Sequence, residues 1–596
     1  MSDPQVEYSK RLEVYQALVA SKNRVHLRVG NSKLAVVAAG LLLVWLTLAK
    51  RVLPSYWLLV PIVFYLALAI FHEHVLRARA RAETAAALYR KGIARIEDRW
   101  AGTGQPGGRF REENHVYAAD LDLFGPGCLF ELLSTARLPM GENWLANWLR
   151  VPSLKPAILE RQTLLGELRD KLDLHRDLAI TGEELRARLN PESLITWAEA
   201  KPRLPGGPWR AVAVLLAVAA TAAFLFYFSS QIYWPFLAVL MLELLFRRWL
   251  LSPAKAIIEG LHCNAEGLLL FSEILQRLEQ EPFASPRLQG FAAQLKCGRH
   301  PASQSIRKLA RIVYWIDAHH SLLAHIAELP LLYTVQVGFA AESWRRHWGA
   351  PMRAWVDIAG EMEALISLAT YSFEHPTDPF PVFVQPQNSQ AQFDGEDLGH
   401  PLIPAAKCVR NSVRLDQDTR MLLVSGSNMS GKSTLLRVVG INTVLAMAGA
   451  PVRAKALHLT PLAIGTRIRS TDSLQEGRST FYTEILHLRR VFDLTKQPEP
   501  LLFLFDELLE GTNSKDRRIG AESLLRHLLE RRAIGMVTTH DLALTEIVAV
   551  LGNSARNVHL EDQIVDGKMK FDYKLREGVV TKSNAIELMR LIGLEM

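Results

Sequence analysis

Cysteine is scarce in this 596-residue chain. Its four copies, Cys128, Cys263, Cys297 and Cys408, stand far apart and form no CxxC pair. That argues against a disulfide framework or a cysteine zinc site and fits free thiols in a reducing compartment. The sequence also lacks internal repeats and low-complexity tracts. A basic domain is missing too, although the formal net charge is +8. Of 69 basic and 61 acidic residues, 15 and 7 lie in residues 1–99, which leaves 54 of each sign for the rest. DNA-binding domains usually concentrate positive charge. Net charge gives no such signal here, and only a local basic groove stays open. The chain is rich in apolar residues, with a slightly positive mean hydropathy. That is high for a soluble enzyme and low for a chain mostly within lipid. A largely soluble protein of three or four units with a few spanning helices fits best.

Two apolar runs lie near the start, residues 34–49 and 52–71, separated by Lys50 and Arg51. At about 1.5 Å per residue the second spans roughly 30 Å, one bilayer core. The first spans about 24 Å and needs Lys33 and Lys50 to snorkel outward. A long polar stretch precedes it, unlike a cleaved signal peptide. A second pair follows at 211–228, "AVAVLLAVAATAAFLFYF", and 232–246. Its last member holds Pro235 and Glu243, and Glu243 is expected at the interface, paired with Arg247 one turn on. That member is short for a span, so a buried core hairpin stays open as its alternative. Basic residues flank both pairs: Lys22, Arg24, Arg28 and Lys33 before the first and Arg77, Arg79 and Arg81 after it. Lys201, Arg203 and Arg210 precede the second, and Arg247, Arg248 and Lys255 follow it. By the positive-inside rule both hairpins enter from the cytoplasm and return to it. The expectation is a multi-pass protein of the inner (cytoplasmic) membrane, with membrane lipid as a partner and both termini in the cytoplasm.

The strongest chemical signal is GxxxxGK[ST] at Gly426, Ser427, Asn428, Met429, Ser430, Gly431, Lys432 and Ser433, followed by Thr434. "RMLLVS" before it reads as a buried parallel strand, and "TLLRVVGINTVL" after it has helical spacing. Glycines let backbone N–H groups wrap phosphates at the positive end of a helix dipole. Lys432 is expected to reach the β- and γ-phosphates and Ser433 to bind Mg²⁺. Downstream, "PLLFLFDEL" reads as a buried strand ending in Asp506, for the Mg²⁺ shell, and Glu507, to polarise the attacking water. A third strand, "IGMVTT", leads into His540, placed to contact the γ-phosphate. Glu507, His540 and Lys432 are the catalytic candidates, Ser433 and Asp506 the metal candidates, and ATP and Mg²⁺ the ligands.

In this order, "GSNMSGKSTLLR", "GRSTFYTEI", "FDELLEGTNS" and "TTHD" resemble the MutS family of mismatch-repair ATPases, a branch of the ABC-type ATPases. "NVHL" and "KSNAIELM" fit the same pattern. The resemblance implies that Ser479 contacts the γ-phosphate of the other subunit, which gives two composite sites in a homodimer. An ordinary helix cap at Ser479–Thr480, supported by Glu484, is the alternative. Upstream, "DLDLFGPGCLFELLSTARLPMGENWLANWLRVP" resembles the start of the family's helical lever core, and "ALISLATYSFEHP" and "LGHPLI" its passage into the ATPase. The implied fold is an α/β P-loop (ABC-type) ATPase domain preceded by an all-α lever core, with two transmembrane helical hairpins. The expected segments are a cytoplasmic start (1–33), hairpin one (34–72), a helical linker (73–119), the lever's first part (120–210), hairpin two (211–246), its second part (247–385) and the ATPase (386–596).

The departures from the family are informative. Nothing before Asp120 resembles the mismatch-reading module, no inserted DNA clamp is recognisable, and no C-terminal helix-turn-helix element is found. Ser427 and Ser430 replace the usual Pro and Gly, and Leu509 and Glu510 replace Gly and Arg after the acidic pair. Cys408 stands where an aromatic ring usually stacks on adenine. Two readings follow: a MutS-type DNA-binding ATPase acting on mismatched or branched DNA while membrane-anchored, or a membrane-coupled ATPase whose levers move the hairpins without reading DNA. An ABC-transporter half fits less well, because the spans are few and the signature is of the MutS type.

Overall fold

Asp3 accepts the Gln5 N–H at 2.9 Å, and Pro4 sits in the first turn, where a missing N–H costs nothing. From there one helix runs Pro4–Val44 and passes into a π turn at Trp45–Ala49. Pro54 precedes a short 3₁₀ turn, Ser55–Leu58, and a second long helix, Leu59–Ile96. The predicted runs 34–49 and 52–71 are thus the apolar ends of two helices with long polar stems. Their apolar side chains lie open, with Leu34 70% and Val63 63% exposed.

The computed structural model describes residues 3–50, 53–296, 300–318, 328, 331–385, 390–427, 429–468, 480–510, 512–565 and 568–580. The chain divides into two units. The first comprises Met1–Leu133, Leu149–Leu159 and Thr370–Met596, so the first helical pair belongs with the C-terminal α/β domain. Arg95, on the stem of the second helix, makes a two-pronged ion pair with Glu374 (Nε–Oε2 2.7 Å, Nη2–Oε1 2.6 Å). The Tyr8 ring packs so closely on Gly92 that a Cβ there would lie 2.5 Å from it.

Among the described residues the α/β domain holds two sheets. Strands β1 (Val382–Phe383), β2 (Phe393–Leu398), β3 (Asn411–Leu415) and β5 (Ala456–Leu459) form a small mixed sheet in the order β1-β5-β2-β3. The main sheet has the order β10-β9-β4-β8-β7-β6. It uses β4 (Met421–Ser425), β6 (Ala463–Arg467), β7 (Leu501–Asp506), β8 (Ile534–Thr539), β9 (Ala555–Val565) and β10 (Lys568–Glu577). All pairs in it are parallel except β9–β10. β4 and β8 are buried throughout, as continuous apolar runs between two covered faces should be. Gly535 on β8 lies against Phe503 of β7, where a Cβ would sit 2.2 Å from the Phe503 carbonyl oxygen.

The second unit, Ser134–Trp148 with Glu160–Ala369, is helical. Inside it, Glu363 accepts the Arg137 and Leu138 N–H groups at 3.3 and 2.9 Å, and burial pushes its carboxyl up to about 8. The second apolar pair lies here, as helices Trp209–Ser230 and Trp234–Glu259. The first closes on Gln231 in the left-handed region and buries Ala213, Ala217 and Ala220, the small residues that let helices approach closely.

Two expectations change. Among the described residues, three helical stretches are long and apolar enough to cross a membrane, Pro4–Ala49, Ser55–Ile96 and Trp209–Ser230. Trp234–Glu259 is not among them, because Glu243, Arg247 and Arg248 interrupt its apolar part. Nor does Glu243 pair with Arg247: Arg247 contacts Glu328 at 3.4 Å, while the Glu243 carboxylate is 1% exposed and has no hydrogen-bond partner among the described residues.

Candidate nucleotide site

Three parallel strands end side by side and deliver the site's chemistry from their carboxyl ends, where α/β sheets place ligands. Gly426, Ser427, Met429, Ser430 and Gly431 lie between β4 and the helix Lys432–Met447. Gly431 caps that helix at φ +96, a conformation costly for a residue with a Cβ. Met429 also has positive φ, +73, and is 85% exposed. Lys432 is buried, and its ammonium donates to the carbonyls of Gly426 and Ser427, both at 2.9 Å. Burial pulls its pKa down, while Glu507 and Asp506 pull the other way. The hydroxyls of Ser427 and Ser430 are buried with no hydrogen-bond partner among the described residues. Asn428 lies outside the described residues.

β7 and β8 are in register so that Asp506 faces Thr538, and the Thr538 hydroxyl donates to Asp506. Glu507 follows at φ +50, and its N–H donates to the Thr538 carbonyl at 3.2 Å. That strained backbone sets its carboxylate 3.0 Å from His540 Nδ1, just beyond β8. Glu510 joins them, so that one ligand atom from each of Glu507, Glu510 and His540 lies within 4.8 Å of the others. Glu484 is occupied elsewhere: it accepts the Leu509 N–H at 3.0 Å, tying the helix Thr480–Asp493 to the acidic loop. Ser479 lies outside the described residues.

A cleft of 430 Å³ opens beside the loop and Glu507. Lys432, Ser433, Thr434 and Glu507 line one side, and His400, Cys408 and Tyr573 also line it. Burial pushes His400 down to about 4, so its ring is neutral, and Nδ1 accepts the Leu402 N–H at 3.2 Å. Tyr573 stands at an irregular point of the β9–β10 ladder, at φ +54. Asn411 holds that point by donating to the Tyr573 carbonyl and accepting the Leu575 N–H, both at 2.9 Å. The Tyr573 ring thereby packs on Gly431, where a Cβ would meet it at 2.9 Å.

The predicted residues 426, 427 and 429–434, with Asp506, Glu507 and His540, therefore gather at the ends of three strands. The donor set suits a phosphate chain with Mg²⁺: a buried lysine, two hydroxyls with no partner among the described residues, and hard oxygens from Ser433 and Asp506. Sequence reasoning passed over Tyr573, His400 and Glu510 as site residues. "NVHL", which fits the family pattern, lies on the strand β9 that pairs with the Tyr573 strand, but nothing local marked the irregularity beside Tyr573.

Residues 422–596 match the family model for MutS domain V. The "DNA mismatch repair protein MutS" of Streptococcus gordonii is 32% identical over 216 residues, 36% of this chain and 25% of that protein. The protein of the same name from Streptococcus sanguinis is 34% identical over 217 residues, again 36% and 25%. That from Staphylococcus aureus (strain Newman) is 36% identical over 188 residues, 31% and 21%. The chain thus spans about a quarter of the length of the curated relatives it matches.

Proposed function

Taking as premise that the chain belongs to the MutS family through its C-terminal domain, we propose that it binds and hydrolyses Mg²⁺-ATP at the cleft beside β4, β7 and β8. The observation that carries this reading is that Glu507, paired with His540 at 3.0 Å, lines the same cleft as the buried Lys432. In it, Lys432 leaves the loop carbonyls for the phosphates, and the Ser427 and Ser430 hydroxyls turn inward as donors. Ser433 and Asp506 would hold Mg²⁺, which would supply neutralisation of phosphate charge, and Glu507 would orient and polarise water with His540 fixing its carboxylate. Ser479 of a second copy completes the site in a homodimer. Tyr573 supplies an aromatic face where Cys408 does not.

Two readings of what the ATPase drives stand beside each other. The name shared by the relatives supports action on mismatched or branched DNA in repair, here by a protein anchored in the inner membrane. A specific feature of this chain favours membrane coupling without DNA reading. Asn442, on the helix after the phosphate loop, accepts the Arg453 N–H at 2.7 Å, and Arg453 contacts Asp378 at 3.3 Å. Asp378 accepts the Tyr371 hydroxyl at 3.3 Å, and one turn further along the same helix Glu374 grips Arg95 on the stem of the first hairpin. These polar contacts, joined by one helix, are a physical route for coupling.

The test is the ATPase rate of the detergent-solubilised protein with homoduplex, mismatched and junction DNA and with liposomes. Mismatch stimulation supports repair; response to lipid alone supports coupling to the membrane. Glu507→Gln should lower turnover at least about 100-fold while ATP stays bound. Normal hydrolysis by that variant would remove Glu507 from its role.

A further inference from the structure

The helix Trp234–Glu259 changes character along its length. Its first half carries exposed apolar side chains, among them Leu237, Met241 and Leu245. Beyond Phe246, Arg248, Ser252 and Lys255 follow at i, i+4 and i+7 and so form one stripe, and all three are exposed. They line an open cleft of 710 Å³, with Leu244 and Leu251 at its apolar edge and Glu259 at its far end. Arg247 shares the cleft but is already engaged by Glu328. Arg248 and Lys255 have no acidic partner among the described residues.

The depth of this stripe is telling. Trp249 meets Trp209 edge to face, with ring centroids 4.9 Å apart, and paired indoles of this kind favour the membrane–water interface. From Arg248 to Lys255 the helix rises about 10 Å. The polar layer on each side of a bilayer is roughly 5–8 Å thick, so the stripe starts where the apolar surface stops and spans the headgroup layer. A duplex offers a phosphate charge about every 1.7 Å, and two unpaired cations beside an acid are few for it. It would also leave Leu244, Leu245 and Trp249 uncovered, with exposures of 40%, 60% and 51%.

We propose that this cleft binds the phosphate of an anionic phospholipid headgroup. Arg248 and Lys255 donate to the phosphate oxygens, the Ser252 hydroxyl donates between them, and Leu244 and Leu251 pack on the first methylenes of the lipid. The inference rests on the reading that the helix Trp209–Ser230 enters the bilayer.

The experiment uses the full chain. Delipidated protein in neutral detergent is titrated with phosphatidylglycerol and with phosphatidylcholine, and bound lipid is counted by native mass spectrometry. The protein should prefer phosphatidylglycerol by about tenfold or more. An Arg248→Gln/Lys255→Gln variant should lose most of that preference, Ser252→Ala a smaller part, and basal ATP hydrolysis should not change. Equal binding of the two lipids, or a preference that survives the double variant, would overturn the proposal. So would full displacement of the lipid by millimolar inorganic phosphate, or a duplex DNA whose binding depends on the stripe while lipid binding does not. Flotation with phosphatidylcholine vesicles separates the two failures: a chain that floats but ignores the headgroup defeats only this site, whereas a chain that does not float defeats the membrane reading.

Discussion

The two apolar hairpins differ in how their charges are treated. On the stem of the first, Arg95 and Glu374 meet with two short hydrogen bonds, and the Glu374 side chain is 1% exposed. In the second, Glu243 is equally buried but has no partner among the described residues. A buried pair with good geometry holds two elements together and resists separation, whereas a buried lone acid is a cost the fold carries. The first hairpin is therefore built into the unit that holds the α/β domain, while the second carries a local weakness within the helical unit.

The largest effect should come from breaking the pair. Glu374→Ala strands Arg95 without its counter-charge and should cost about 3–5 kcal/mol. Hydrogen exchange in detergent should show lost protection over helices Pro4–Val44 and Leu59–Ile96. Glu374→Met with Arg95→Met should recover much of it, and protection unchanged in Glu374→Ala would erase the contrast between the hairpins.

Acidity should separate the two units by sign. His400, in the first, has its pKa lowered to about 4, so its contribution is present above the ordinary histidine range near 6.5. It is lost as pH falls from there through 4, about 3 kcal/mol in all. Glu363, in the second, is raised to about 8, so its contribution is full below about 4.5 and fades as pH rises through 8. Peptide-resolved exchange at pH 4.5, 6.5 and 8.5 should therefore show the first unit loosening in acid and the second in base. Parallel behaviour of both units would count against these two groups as the cause.

The smallest effect should come from curing the lone acid. Glu243→Leu should leave the protein as stable or raise stability by about 1–2 kcal/mol, read as a higher unfolding temperature in detergent. A loss instead would reveal a partner for Glu243.

Much of the site was legible because its signals are local. The phosphate loop, the run ending in Asp506 and Glu507, and the strand before His540 each announce strand, turn or helix within about ten residues. The apolar runs at 34–49, 52–71 and 211–228 were equally direct. The rest depends on chain closure. Arg95 and Glu374 are 279 residues apart, and neither is unusual in its own segment. Tyr573 reaches Gly431 only because Asn411, 162 residues earlier, holds an irregular strand in place. The i, i+4 spacing of Glu243 and Arg247 allowed a pair that Glu328 takes away. For the segment after Glu243, two arginines within one turn outweighed apolar neighbours.

Lys432 holds one more consequence. Its ammonium is tethered to the carbonyls of Gly426 and Ser427, so the loop keeps its own cation sheathed. A stray anion meets peptide oxygens before it meets positive charge. Only a ligand long enough to pull the lysine free and offer it better acceptors gains the full attraction. Under the proposed function, this tether would act as a threshold that screens ligands by reach.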